Sequence, residues 1–173
     1  MKTMLCKALL EDVLPDFQAL WNHRPVHPEN RMVIVRDKET GEYKEKTIFR
    51  YFQAYLRVPG FDDTTGKSYM FSGSRDPREN YVFLPECLKQ LAAAMPEYDS
   101  CMVNWYEPED YIEMHSDCTA KLDPNSDIVM INLNEPDTEA DRFFRTEKNG
   151  IVHDIPLEDG VCIGRLIKYW LEY

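Results

Sequence analysis

Apolar residues recur at helical spacing in two stretches of the chain. In residues 9–21, Leu10, Val13, Leu14, Phe17, Leu20 and Trp21 fall on one face. Pro15 interrupts that face, so a helix starts or kinks there. Residues 80–95 repeat the pattern with Leu84, Leu88, Leu91, Ala92 and Met95. Pro85 falls in the first turn, where a missing N–H costs no hydrogen bond. Between the two, residues 22–30 hold two prolines and predict a loop. MVIVR (32–36) and EYKEKTIFRY (42–51) predict two strands joined around Glu39-Thr40-Gly41. Residues 58–68 are rich in turn formers and lead into the aromatic run Tyr69-Met70-Phe71.

After residue 100 the texture becomes that of short strands. The runs 101–106, 110–117, 127–133, 141–146, 150–157 and 161–173 are β-branched or aromatic, with Pro, Asp, Asn and Gly between them. Helices first and close-spaced strands afterwards predict an α+β fold, or a β-sandwich with helices packed on one side.

At 173 residues the chain has the size of a single domain. Its 43% hydrophobic content suffices for a core. Thirty-one acidic against 20 basic residues give a net charge of −11. A protein that coats duplex nucleic acid would be basic, so any nucleic-acid contact is short and local. No apolar run approaches the roughly 20 residues of a membrane span, and the N-terminus lacks the apolar core of a signal peptide. The 5 cysteines, Cys6, Cys87, Cys101, Cys118 and Cys162, form no CxxC pair. They read as free thiols of an intracellular, reducing compartment, cytoplasm or nucleus.

Candidate chemistry concentrates in Asp110-Tyr111-Ile112-Glu113-Met114-His115-Ser116-Asp117. On a strand, His115 and Asp117 project from one face. An imidazole beside a carboxylate supplies two corners of a 2-His-1-carboxylate iron site, which keeps positions open for cosubstrate and O₂. A bare His-x-Asp triplet is common by chance and carries little alone. No P-loop, GxGxxG or GxSxG motif is present. Cys118 follows Asp117, and adjacent strand residues point to opposite faces, which argues against a Cys–His nucleophile.

The surroundings of the triplet add specificity. Asn104-Trp105-Tyr106, Asp110-Tyr111-Ile112 and His115-Ser116-Asp117 resemble the NxY…HxD segment of the AlkB-like iron(II)/2-oxoglutarate dioxygenases. Pro124-Asn125-Ser126-Asp127-Ile128 with Ile131-Asn132-Leu133 is similar to that family's next strand, departing at Asp127 and Asn134. Tyr69-Met70-Phe71-Ser72-Gly73 resembles its nucleotide-recognition lid, and Pro156-Leu157-Glu158-Asp159-Gly160 its turn before the last metal-bearing strand. These elements keep the family's order over residues 69–160.

The resemblance implies a double-stranded β-helix, or jelly-roll, core with the N-terminal helices packed on one sheet. It implies a single domain over 1–173: a helix and hairpin region at 1–68, a lid at 69–79, and a helix and jelly-roll core at 80–173. His115 and Asp117 would bind Fe(II) and carry catalysis. Asn104 and Tyr106 would bind 2-oxoglutarate. Tyr69, Phe71, Ser72 and Gly73 would lie against the substrate. By composition alone, Tyr69 and Phe71 also suit a core, and Asn104 and Tyr106 also suit an ordinary sheet. The implied substrate is an alkylated base, single-stranded or flipped out, in DNA or RNA. Arg50, Arg57, Lys67, Arg75 and Arg78 flank the lid and could hold phosphates, or form an ordinary solvated surface.

One departure bears on activity. The family's second histidine and its carboxylate-binding arginines would fall after Tyr173. Three readings stay open: a shortened chain, a natural protein that has lost this strand, or a substitute ligand such as His153. His153 stands before the turn, where the family has no ligand. His23 and His27 flank prolines, as surface residues do. The alternatives to a nucleic-acid demethylase are a non-catalytic nucleic-acid or protein-binding module, and an oxygenase acting on a protein or small molecule.

Overall fold

The computed structural model describes residues 10–26, 31–37, 39–56, 82–98, 100–113, 115, 128–136, 138, 142–160 and 162–164. Mixed α/β architecture emerges, with few helices and small, mainly antiparallel sheets among the described residues.

Pro15 divides the first helical stretch. A 3₁₀ turn, Glu11–Val13, precedes it, and helix α1, Phe17–Asn22, follows. Asp16 caps α1 by accepting from the Ala19 N–H at 2.7 Å, which satisfies one orphan donor of the first turn. The second helical stretch is shorter than the periodicity predicts. Val82–Phe83 is a strand, Glu86–Leu88 a 3₁₀ turn, and only Lys89–Ala94 is α-helical, labelled α2. Pro85 stands in extended conformation ahead of that turn, since it starts a helix well and cannot continue one.

The first sheet is the expected hairpin. Strands β1, Met32–Arg36, and β2, Tyr43–Thr47, pair antiparallel from Met32↔Thr47 to Arg36↔Tyr43. Asp37 builds the turn by accepting from the Glu39 and Thr40 N–H groups at 2.9 and 3.0 Å. Gly41 takes the positive φ of 74° that the connection needs. Lys44, followed by those two N–H groups, holds the Asp37 carboxyl down at about 2.

The central sheet has the order β4-β3-β5. Strand β3 is Tyr51–Leu56, β4 is Val82–Phe83 and β5 is Ser100–Trp105. The β3–β5 pair is antiparallel, with Tyr51↔Trp105 and Phe52↔Asn104, while β3–β4 is parallel. Alternation along the strands places Tyr55 and Trp105 toward the helices, where they are buried with Leu20 of α1 and Leu88. The Trp105 indole N–H donates to the Leu20 carbonyl at 3.0 Å, closing the helix onto the sheet. Burial raises the Tyr55 phenol to about 12, with Cys101 and Cys87 adding to the rise.

Two further pairs complete the described strands. Strand β6, Val129–Ile131, pairs antiparallel with β9, Cys162–Gly164. Strands β7, Phe143–Lys148, and β8, Ile151–Pro156, form a hairpin through Asn149 and Gly150, both at positive φ. An Asn-Gly pair suits the tight turn whose twist matches its strands. The predicted strand at 110–117 is not formed: residues 110–113 and 115 carry no strand pairing. Asp110 is instead consumed by a turn. No helix among the described residues is long and apolar enough to cross a membrane.

Candidate active site

Strand β5 delivers Asn104, and the chain just beyond it delivers Tyr106. Parity sends Asn104 to the face opposite buried Trp105, so it stands clear of the helix core. There its Oδ1 accepts from Arg50 Nε at 2.8 Å. Tyr106 is half-buried, with the Arg142 guanidinium 5.3 Å from its ring centroid. Burial pushes the Tyr106 phenol up, Arg50 and Arg142 pull it back, and Asp110 adds to the rise. The hydroxyl is therefore protonated at neutral pH and able to donate.

The turn at 107–110 is held from two directions. Arg142 donates to the Asp110 carbonyl at 2.6 Å and also to the carbonyls of Glu107 and Pro108. Arg31 reaches the Asp110 carboxylate at 2.5 Å and that of Glu107 at 3.3 Å. Asp110 in turn accepts from the Glu107 N–H at 2.9 Å. Asp110 is only 7% exposed, so its charge survives burial because these partners replace water. Arg31 also lies 4.0 Å over the Tyr51 ring, and Arg24 4.2 Å over Trp21. Buried Arg24 Nε and Nη1 and Arg31 Nε have no hydrogen-bond acceptor, and ring faces stand in for one.

The chain leaves this turn along the hairpin β1–β2. The Tyr111 N–H donates to the Phe49 carbonyl at 3.0 Å, and the two rings stack. Glu113 accepts from Lys46. The next described residue is exposed His115, whose Nδ1 lies 2.7 Å from the Glu113 carbonyl. A carbonyl only accepts, so Nδ1 carries the proton, and in the neutral ring Nε2 keeps the lone pair. That is the tautomer a metal ligand needs, with its other nitrogen oriented by a backbone acceptor.

Asn104, Tyr106 and His115 thus lie on one continuous stretch, pinned by Arg31, Arg50, Arg142 and Phe49. Asp117 lies outside the described residues, as do the lid positions Tyr69, Phe71, Ser72 and Gly73. So do Arg57, Lys67, Arg75 and Arg78. No three His, Cys, Asp or Glu side chains form a metal-binding group among the described residues. His153 is on β8 opposite Thr146, and His23 caps α1 at its C-terminal end. Arg50, expected at the lid, is instead held by Asn104.

Sequence reasoning missed Arg31, Asp110 and Arg142. Their partners are far away along the chain, and no local pattern announces such a pairing. Two motif segments do meet. The Asn132 amide donates to the Leu157 and Glu158 carbonyls at 2.9 and 3.2 Å, and Asp159 accepts from the Asn134 N–H at 3.0 Å. Gly160 closes the turn with φ 68° and donates to the Asn132 carbonyl at 2.9 Å. Compared with known proteins, the chain matches no family model, no curated protein and no solved structure.

Proposed function

We propose that this chain is an iron(II)/2-oxoglutarate oxygenase of the AlkB type, built on a jelly-roll core, that demethylates alkylated bases in DNA or RNA. The observation that carries the reading is the arrangement of Asn104, Tyr106 and His115 on one pinned stretch. His115 has its Nδ1 committed to a backbone carbonyl, which favours ligation through Nε2. The contact of the 132–134 segment with the 157–160 turn supports the same motif order. His115 and Asp117 would hold the metal. Asn104 and Tyr106 would orient the cosubstrate, Tyr106 as a hydrogen-bond donor. When bound, iron and 2-oxoglutarate supply the oxidising power that hydroxylates an N-methyl group, which then leaves as formaldehyde.

The protein's own work is to present those donors at fixed positions, which is what Arg31 and Arg142 secure through the 107–110 turn. The test is Mn(II) titration together with succinate release, on the parent chain, His115→Ala and Asp117→Ala. Metal binding that both variants lose, with 2-oxoglutarate-dependent succinate release in the parent, is the expected result. Metal binding indifferent to both substitutions overturns the reading.

A further inference from the structure

We propose that the stacked rings of Phe49 and Tyr111 are a platform on which a base of single-stranded nucleic acid stacks, beside the candidate active site. The proposal rests on the nucleic-acid substrate of the function proposed above, and adds a contact outside the lid and the metal ligands.

Single exposed apolar residues are ordinary on a protein surface. Phe49 and Tyr111 differ because they are a locked pair. Their ring centroids are 4.8 Å apart and their planes differ by 12°. The Tyr111 N–H bond to the Phe49 carbonyl fixes the two backbones at 3.0 Å. Even so, Phe49 is 43% and Tyr111 50% exposed, so flat aromatic surface remains in water after the pair has formed. Its ordering cost is met during folding, which leaves a preorganised flat face for a flat partner. Every nucleobase offers such a face, so stacking there tolerates any sequence.

Charge and position narrow the occupant. Arg50 follows Phe49 directly, and Lys46 lies within the same strand-and-turn segment. Lys46 is held by Glu113 in an exposed ion pair, and such pairs are weak enough to exchange a carboxylate for a phosphate. Tyr111 is four residues from His115. Their Cα atoms are at most about 14 Å apart on a fully extended chain, a reach of a few nucleotides. The net charge of −11 disfavours an extended duplex grip and suits a short strand held by stacking.

The experiment needs neither iron nor 2-oxoglutarate. Fluorescence anisotropy follows a labelled short oligothymidylate, and an abasic strand of equal length, at fixed low salt. Phe49→Ala is expected to weaken the oligothymidylate roughly ten-fold, the scale of one lost base stack. The abasic strand should bind weakly, and equally to parent and variant. Phe49→Trp keeps the stack and guards against misfolding of the alanine variant. Its added indole emission should be quenched by oligothymidylate and not by the abasic strand. Unchanged affinity in a folded Phe49→Ala variant, or no quenching in Phe49→Trp, overturns the proposal. So does self-association that Phe49→Ala abolishes without any dependence on bases, since a second copy would then cover the rings. Base-dependent binding through Phe49 in a chain that never releases succinate keeps the platform and removes the oxygenase. Succinate release with no role for Phe49 does the reverse.

Discussion

Two regions of the chain use an arginine–aspartate pair for different ends. At the 107–110 turn, Arg31 meets an Asp110 that is almost fully buried, and Arg142 adds bonds to carbonyls of the same turn. On the β7–β8 hairpin, Arg145 clasps Asp154 with bonds of 2.7 and 2.6 Å, yet the Arg145 side chain is 57% exposed. The hairpin pair has the better fork geometry. The turn pair has the greater consequence, because water cannot replace a lost partner there. Environment, rather than bond length, decides what an ion pair is worth.

The largest test of that contrast is Asp110→Ala. It strands Arg31 beside a wall of aromatic rings and frees the Glu107 N–H. Breaking a buried pair costs about 3–5 kcal/mol, so the denaturation midpoint should fall sharply. A shift equivalent to under about 1 kcal/mol would mean that water reaches the turn and that the contrast is false.

A smaller effect sharpens the contrast by pH. The Tyr55 phenol is raised to about 12 in the folded chain, chiefly by burial, and ionises near 10 when unfolded. The folded state therefore holds its proton more tightly. Tyr55 contributes stability fully below pH 10, and that contribution is lost as pH rises from 10 through about 12. Denaturation midpoints across this window should drop more steeply for the parent than for Tyr55→Phe. Parallel curves would place the phenol in water.

The smallest expected effect is that of Arg145→Ala. Arg145 holds the Asp154 carboxyl below its ordinary range, and the reverse effect raises the arginine. Both groups meet solvent, so the melting temperature should barely move. A loss as large as that of Asp110→Ala would show that the hairpin is covered by something it needs.

The local features of the fold were legible in the sequence. Asp37, Gly41 and the flanking alternation mark the β1–β2 hairpin, and Asn149-Gly150 marks β7–β8. Pro15 does break the first helical stretch, and Asp16 restarts it as a cap. Strand β3 was hidden, because TIFRY reads as the end of β2 while Tyr51–Leu56 pairs with β5 far along the chain. Period-two patterning misled at 110–117, where Asp110 serves a turn and Tyr111, Ile112 and Glu113 are all exposed. With no buried face to satisfy, alternation there had no strand to report. Asn104 and Tyr106 were legible as a motif, and their neighbours Arg50 and Arg142 were not. A guanidinium finds its acceptor through the finished topology, which no spacing rule encodes.

The pairing of β3 with β5 also has an entropic side. The β7–β8 strands are joined through Asn149 and Gly150 alone. Between Leu56 and Ser100 runs a connection roughly twenty times longer, and each doubling of loop length adds about 0.6 kcal/mol to the cost of closure. The sheet that carries Asn104 must therefore offset several such doublings, which the anchoring of Trp105 and Tyr55 beneath the helices makes possible. The same logarithm makes that connection forgiving. A few residues gained or lost within it change the closure cost by only a small fraction of 1 kcal/mol. The framework around Asn104 can thus be kept while the long segment between β3 and β4 changes in length.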